Sequence, residues 1–155
     1  MADRKYPCWP DLTGVPALTL LNPWAHLIAH HGKNIENRSW TPGPATRLLI
    51  HAGKGWDLDA AATYGSRPPN TLDRVDQAAI VAVAILDGVC SATVHAPPAV
   101  RCTCGRWAVP GQHHWRLRHV LALAEAVPAR GRQGLWYPGP TVRAAVEQQL
   151  LAVAR

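Results

Sequence analysis

Between two apolar segments the chain reads His31-Gly32-Lys33-Asn34-Ile35-Glu36-Asn37-Arg38-Ser39-Trp40, which puts an ammonium, a carboxylate and a guanidinium within six residues. If Ile35 faces a core from a strand, Glu36 and Arg38 share the opposite face, because side chains alternate along a strand. Lys33 joins them from the turn at Gly32. Such a trio binds an anion or polarises a carbonyl; the plain alternative is a surface ion pair of little energetic consequence. Metal-free amide hydrolysis would ask more of it, namely a base to activate water and a cation beside the developing oxyanion. Lys33 acting as a base needs its pKa lowered by burial or by Arg38, and Glu36 opposes that by favouring the ammonium. The residues therefore lean toward binding, with Glu36 orienting Lys33 and Arg38.

Further cations and aromatics extend this reading. Lys54 follows His51-Ala52-Gly53 and precedes Gly55-Trp56, a loop whose glycines let the backbone approach a ligand. Arg130 and Arg132 lie in the Gly-rich run Pro128-Ala-Arg-Gly-Arg-Gln-Gly134. With Arg47, Arg116 and Arg118 they make a phosphate-tracking groove if they share a face, although solvation is the better account of Arg116 and Arg118. Seven Trp and no Phe is an unusual aromatic composition. Trp24 reads as core. Trp40, Trp56 and Trp136 flank charged or loop segments, where an indole can stack on a base for ~1–3 kcal/mol. Trp40, two positions beyond Arg38 and on the same face, is the best placed.

Cys90, His95, Cys102, Cys104, His113 and His114 fall within 25 residues. Cys90, Cys102, Cys104 and His113 are the candidate ligands of a structural zinc ion that would pin a long loop with little apolar material of its own. Only Thr103 separates Cys102 from Cys104, tighter than the usual C-x(2–4)-C knuckle, and reduced thiols beside surface histidines are the competing account. A deaminase-type catalytic zinc fits less well still, because neither H-x-E nor P-C-x-x-C occurs. No other cofactor is implied.

The elements that must position these groups are those of one α+β domain. At 155 residues the chain can bury one core, and 48% hydrophobic with 17% charged residues is a globular balance. Sixteen Lys+Arg against ten Asp+Glu give +6, which favours polyanionic partners. No stretch approaches the ~20 apolar residues of a membrane helix, and the N-terminus lacks a signal-like apolar run, so the chain reads as cytoplasmic with reduced cysteines. Residues 1–16, with Pro7, Pro10 and Pro16, form an extension. The domain proper is 17–155. Strands are expected at Ala17–Leu21, Asn34–Trp40, Arg47–Ala52, Ala78–Leu86 and His114–Leu123. A short helix should start at Pro23 with Asn22 as its cap and end at Gly32. Asp57–Tyr64 forms a second helix, broken by Gly65–Asn70, and Thr141–Val153 a third. Cys90–Gly111 is a long Pro- and Gly-punctuated loop, unusual unless functional or pinned.

The order of these blocks resembles a known family. Ala17-Leu-Thr-Leu-Leu-Asn-Pro-Trp-Ala-His-Leu-Ile28, then Gly32-Lys-Asn-Ile-Glu-Asn-Arg-Ser-Trp40, then Arg47-Leu-Leu-Ile-His-Ala-Gly-Lys54 look like the ASCH family of the PUA-like superfamily. Ala79–Gly88 and Trp115–Trp136 resemble its later blocks, so the likeness covers residues 17–137. It implies a PUA-like β-barrel with a few peripheral helices and a cleft at its mouth lined by Lys33, Glu36 and Arg38. Family members include nucleic-acid binders, proteins with nuclease-like activity, and small amidohydrolases that deacetylate N(4)-acetylcytidine. In those hydrolases the residue matching Lys33 acts on the substrate, a Thr stands where this chain has Glu36, and a further Glu takes part. Asp57, Asp87 and Glu125 are the acids available here by position. The resulting expectation is an RNA- or modified-nucleotide-binding domain using Lys33, Glu36, Arg38, Trp40, Lys54 and Arg130. An amidohydrolase with Lys33 and Glu36 catalytic, and a protein-interaction module docking through the Cys90–Gly111 loop, are the alternatives.

Overall fold

The computed structural model describes residues 9, 11–65 and 75–153; Pro7, Pro10 and most of the expected 65–70 break lie outside them. The elements run β1 (Ala17–Asn22), α1 (Trp24–His30), β2 (Ile35–Arg38), β3 (Arg47–Trp56), α2 (Leu58–Gly65), β4 (Ala79–Cys90), β5 (His113–Pro128), β6 (Leu135–Trp136) and α3 (Pro140–Val153). The six strands form one mixed sheet in the order β2-β5-β4-β3-β1-β6. Only β1 and β3 pair in parallel, and α1 and β2 make the connection between them.

Both faces of the sheet are covered, which explains the near-continuous apolar runs of β3 and β4. Leu18, Leu20, Leu48, Ile50, Ala82, Ala84, Trp115 and Leu117 pack together on one face, under Ala25 and Ile28 of α1. Alternate residues Ala17, Leu49 and Val83 point the other way. They meet Val146 and Leu150 of α3, and Trp9, Leu12 and Val15 of the N-terminal extension. The described part of that extension is therefore packed core, tied further by Leu12 N–H donating to Glu147 (2.8 Å) and Arg47 donating to the Asp11 carbonyl (2.9 Å).

The ladder does not close into a ring: among the described residues β2 and β6 remain its edges. The sheet nevertheless curls. Four strand spacings of ~4.8 Å would set β2 about 19 Å from β1 in a flat sheet, beyond the reach of any side chain. Arg38 Nη2 of β2 instead donates to the Thr19 carbonyl of β1 at 3.3 Å.

One capping expectation is corrected. Asn22 makes no cap for α1; Pro23 holds that position, and Asn22 Nδ2 donates to the Gly53 carbonyl (2.8 Å), fastening β1 to β3. Gly32 does end the helix region in the left-handed conformation, φ +71. Asp57 caps α2 by accepting from the Ala60 N–H at 3.0 Å. No helix among the described residues is long and apolar enough to cross a membrane.

Candidate functional site

The expected cluster is present, but buried and divided between two concavities. Lys33 and Glu36 are only 3% and 7% exposed. Glu36 lies opposite Trp115 in the β2–β5 register, and residues so paired share a face, so its carboxylate sits beside the main core. Ile35 on the other face is buried too, because the 91–112 loop covers the outside of β2. The cluster is thus no open strand face. Glu36 bridges its two partners: Oε2 lies 3.1 Å from Lys33 Nζ and Oε1 lies 3.1 Å from Arg38 Nε. Lys33 also donates to the Ile35 carbonyl and lies 5.5 Å from the Trp24 ring centre. Burial pulls the Lys33 ammonium below its ordinary 10.5; Glu36 opposes the shift and Arg38 adds to it.

Arg38 faces the larger concavity, a cleft of about 1150 Å³ shared with Trp40, Lys54, Arg130 and Arg132. Of the expected binding residues, Arg38, Trp40, Lys54 and Arg130 come together there. None of the described residues lining it is acidic. Lys54 is delivered by the end of β3 and the two arginines by the Gly-rich loop between β5 and β6, a convergence made possible by β1 pairing with both β3 and β6. Gly131 is needed sterically: a Cβ there would lie 2.6 Å from His51 Cε1 and 2.7 Å from Thr19 Oγ1. His51 forms the floor, 1% exposed, with Nε2 2.8 Å from the Ala129 carbonyl and Nδ1 buried with no hydrogen-bond partner among the described residues. Burial holds its imidazole below the usual 6.5, against the Ala129 bond. Trp40 is half-buried, edge-on to Trp115 at 4.8 Å between ring centres.

Lys33 and Glu36 line a second pocket of about 230 Å³ with Trp24, Asn37, Tyr64, Arg106, Trp107 and Val109. Trp24 and Tyr64 meet edge to face at 5.8 Å, and Tyr64 and Trp107 lie 5.6 Å apart at 31°. Trp24 Nε1 donates to Asp57 (3.0 Å), so the α2 cap also orients this wall. Asn37 fixes the opposite wall, donating to the Trp107 carbonyl (2.9 Å) and accepting from the Val109 N–H (2.8 Å).

Other candidates fall elsewhere. Asp87 pairs with Arg118 at 2.6 Å on the surface, and Glu125 faces α3, where its backbone exchanges two hydrogen bonds with Gln149. Neither lines the Lys33 pocket. Arg47 is engaged with the N-terminal segment, and Arg116 donates to the Asp87 carbonyl. Trp136 is no stacking platform; it is 7% exposed, its Nε1 donates to Thr19 Oγ1 (3.0 Å) and its ring meets His51 edge-on. Trp24, expected as plain core, is half-buried and lines the pocket.

Cys90, Cys102, Cys104 and His114 bring their ligand atoms within 4.8 Å of one another and could bind a metal. The fourth member is His114, not His113. His113 Nδ1 is engaged with Ser91 Oγ at 2.7 Å, because neighbouring strand residues point to opposite faces. Burial, then the adjacent Cys102 and Cys104-facing Cys90 thiols, push the Cys104 thiol up to about 12.

Sequence reasoning missed Tyr64, Arg106 and Trp107 as pocket residues and His51 as the cleft floor. Trp107 carried a signal, the one large aromatic of the 91–112 loop. Tyr64 carried none, since its role depends on how α2 docks. No family model matches the chain, and no curated protein matches it.

Proposed function

We propose that the domain binds nucleic acid, RNA by preference, or a modified nucleotide, with the phosphate backbone in the Arg38–Lys54–Arg130–Arg132 cleft. The observation that carries this reading is a concave surface with four cations, no acid among its described lining, and the Trp40 indole at its wall. A solvated surface patch would mix its charges, whereas a phosphate groove keeps one sign. The fold reading behind it is an ASCH-like, PUA-like barrel whose closure is made by side chains; the Arg38-to-Thr19 contact across the gap supports it. The thiol–imidazole cluster is read with it as a structural zinc site.

Binding of a fluorescent single-stranded RNA, followed by anisotropy across a salt series, tests the proposal. Four phosphate contacts give a slope of log K against log salt of about −3, and each cation removed flattens it by about 0.7. Affinity indifferent to salt, or untouched in the Lys54→Ala/Arg130→Ala double variant, would remove the reading.

One observation favours hydrolysis as a second reading. Lys33 sits 3.1 Å from Glu36 in an aromatic-walled pocket. The pocket volume is below the ~300–1,000 Å³ of typical small-molecule sites, so it suits one flat ring. Glu36 would then take a proton from the water that attacks the acyl carbon of an N4-acylated cytidine, the Lys33 ammonium would stabilise the oxyanion, and Glu36 would return the proton to N4 as the acyl C–N bond breaks, releasing cytidine and the carboxylic acid. Chromatography of acetylcytidine incubated with the protein decides: turnover abolished by Lys33→Ala supports it, and no turnover by the intact protein ends it.

A further inference from the structure

The four candidate metal ligands come from three places that the chain order keeps apart. Cys90 ends β4 and His114 is its register partner on β5, so these two face each other across the base of the hairpin. Cys102 and Cys104 return from the middle of the 91–112 loop, which is built from consecutive turns at Ser91–Val94, Pro97–Val100 and Gly105–Ala108 with no helix or strand. Little apolar packing holds those turns; of residues 91–112 only Thr93 is buried.

The distances fit zinc. A tetrahedral ion with bonds of about 2.3 Å to sulfur and 2.0–2.1 Å to nitrogen spaces its ligand atoms at about 3.5–3.8 Å. Here Cys102 Sγ lies 3.3 Å from His114 Nδ1, and all four atoms are within 4.8 Å. The histidine is also pre-set. Its Nε2 lies 2.7 Å from the Val109 carbonyl, which can only accept, so Nε2 carries the proton and Nδ1 turns a lone pair toward the thiols. A backbone carbonyl holding the second ring nitrogen is the usual outer support of a metal-bound imidazole.

That supporting carbonyl belongs to the wall of the Lys33–Glu36 pocket. Val109 and Trp107 line the pocket, both are held by the Asn37 side chain, and Cys104 stands three residues before Trp107. We propose that Cys90, Cys102, Cys104 and His114 bind one zinc ion, and that this ion clasps the 91–112 loop so that Trp107 and Val109 form a fixed wall of the pocket. The clasp deepens the structural-zinc reading and is independent of whether the cleft binds RNA.

The experiment uses the full chain, reduced and stripped with a chelator, then titrated with Co²⁺ and followed by thiolate-to-cobalt charge-transfer absorption. One equivalent is expected, displaced by one equivalent of Zn²⁺. His113→Ala should retain the band, whereas His114→Ala and Cys102→Ser should lose it. Absence of a stoichiometric band, or equal loss in His113→Ala and His114→Ala, overturns the site. Hydrogen exchange of zinc-loaded and stripped protein then tests the clasp. Stripping should speed exchange of the Val109 amide at least about tenfold and leave the β4 amides of Val81–Ala84 unchanged, as expected for local opening. Stoichiometric metal with unaltered Val109 exchange leaves the zinc site standing and overturns the clasp. Accelerated exchange in β4 as well would show a global stability effect and overturn it too.

Discussion

The cleft and the pocket use the same charged residue types to opposite ends. In the pocket, Lys33 and Glu36 are buried and neutralise each other within a shell of protein contacts. In the cleft, Lys54, Arg130 and Arg132 project from loop or strand-end backbone into a concavity with no acid among its described lining. Buried pairs are structural commitments, because each partner stripped of the other leaves a desolvated charge. Exposed cations of one sign cost the fold little and stay available to a ligand. Glu36 belongs to both regions, since its second oxygen holds Arg38 at the cleft margin.

The largest effect should come from breaking the buried side. Glu36→Ala strands the Lys33 ammonium and is expected to lower unfolding free energy by about 3–5 kcal/mol in urea titrations with an unchanged slope. Lys33→Met/Glu36→Leu, which removes both charges at similar volume, should recover most of that loss. A double variant as unstable as the single would mean that Glu36 acts through Arg38 rather than through Lys33.

Next in size is a steric test of the cleft. Gly131→Ala forces a methyl against His51 and Thr19 Oγ1, and overpacking of this kind costs about 1–3 kcal/mol. It should also displace the Arg130 and Arg132 backbone and weaken RNA binding. Gly139→Ala, whose Cβ would meet nothing within 4 Å, is the control and should change neither quantity. Smaller again are Lys54→Ala and Arg130→Ala, expected to keep stability within about 0.5 kcal/mol as surface changes do. The loss there should appear in RNA affinity and its salt slope. A cation whose removal destabilises the fold as much as Glu36→Ala would erase the distinction between the two regions.

The sequence disclosed this distinction only in part, and the reason is geometric. Local signals were readable: β-branched Val81, Val83 and Ile85 marked β4, Gly32 marked the end of α1, and the 17–54 blocks located β1, α1, β2 and β3 in order. Spacing also put Arg38 and Trp40 on one strand face; Lys54 and Arg130, expected as phosphate contacts, join them in the cleft, whereas Lys33 and Glu36 of the same expected set do not. Burial was not readable. Alternation on β2 implied one open face, yet the curl of the sheet covers Glu36 from one side and the 91–112 loop covers Ile35 from the other. The choice of His114 over His113 hinged on β5 register, and Tyr64 on the docking of α2; each depends on pairing with distant residues. Among the described residues β2 and β6 do not pair, so the ring closure expected of a barrel is not formed by the strands, and two-residue β6 is too short to be told from a turn.

The smallest expected effect is a pH dependence that probes the cleft floor. His51 is held below 6.5 by burial, with the Ala129 carbonyl bond opposing. As pH falls from 6.5 toward the folded-state value, the unfolded chain takes up a proton there before the folded chain does. The unfolded state then binds more protons, so stability declines through that window and is fully retained above it. Protonation would place a hydrogen on Nδ1, which faces Gly131 and has no acceptor among the described residues. Urea midpoints measured between about pH 7.5 and about pH 5 should therefore fall more for the wild type than for His51→Gln, which can keep the Ala129 bond but does not titrate. RNA affinity, corrected for the fraction folded, should change less than the midpoint does, because the cations of the cleft rather than the buried imidazole carry the binding. Equal midpoint shifts in both proteins would place the buried imidazole outside the cleft's energetics and leave the floor a packing surface alone.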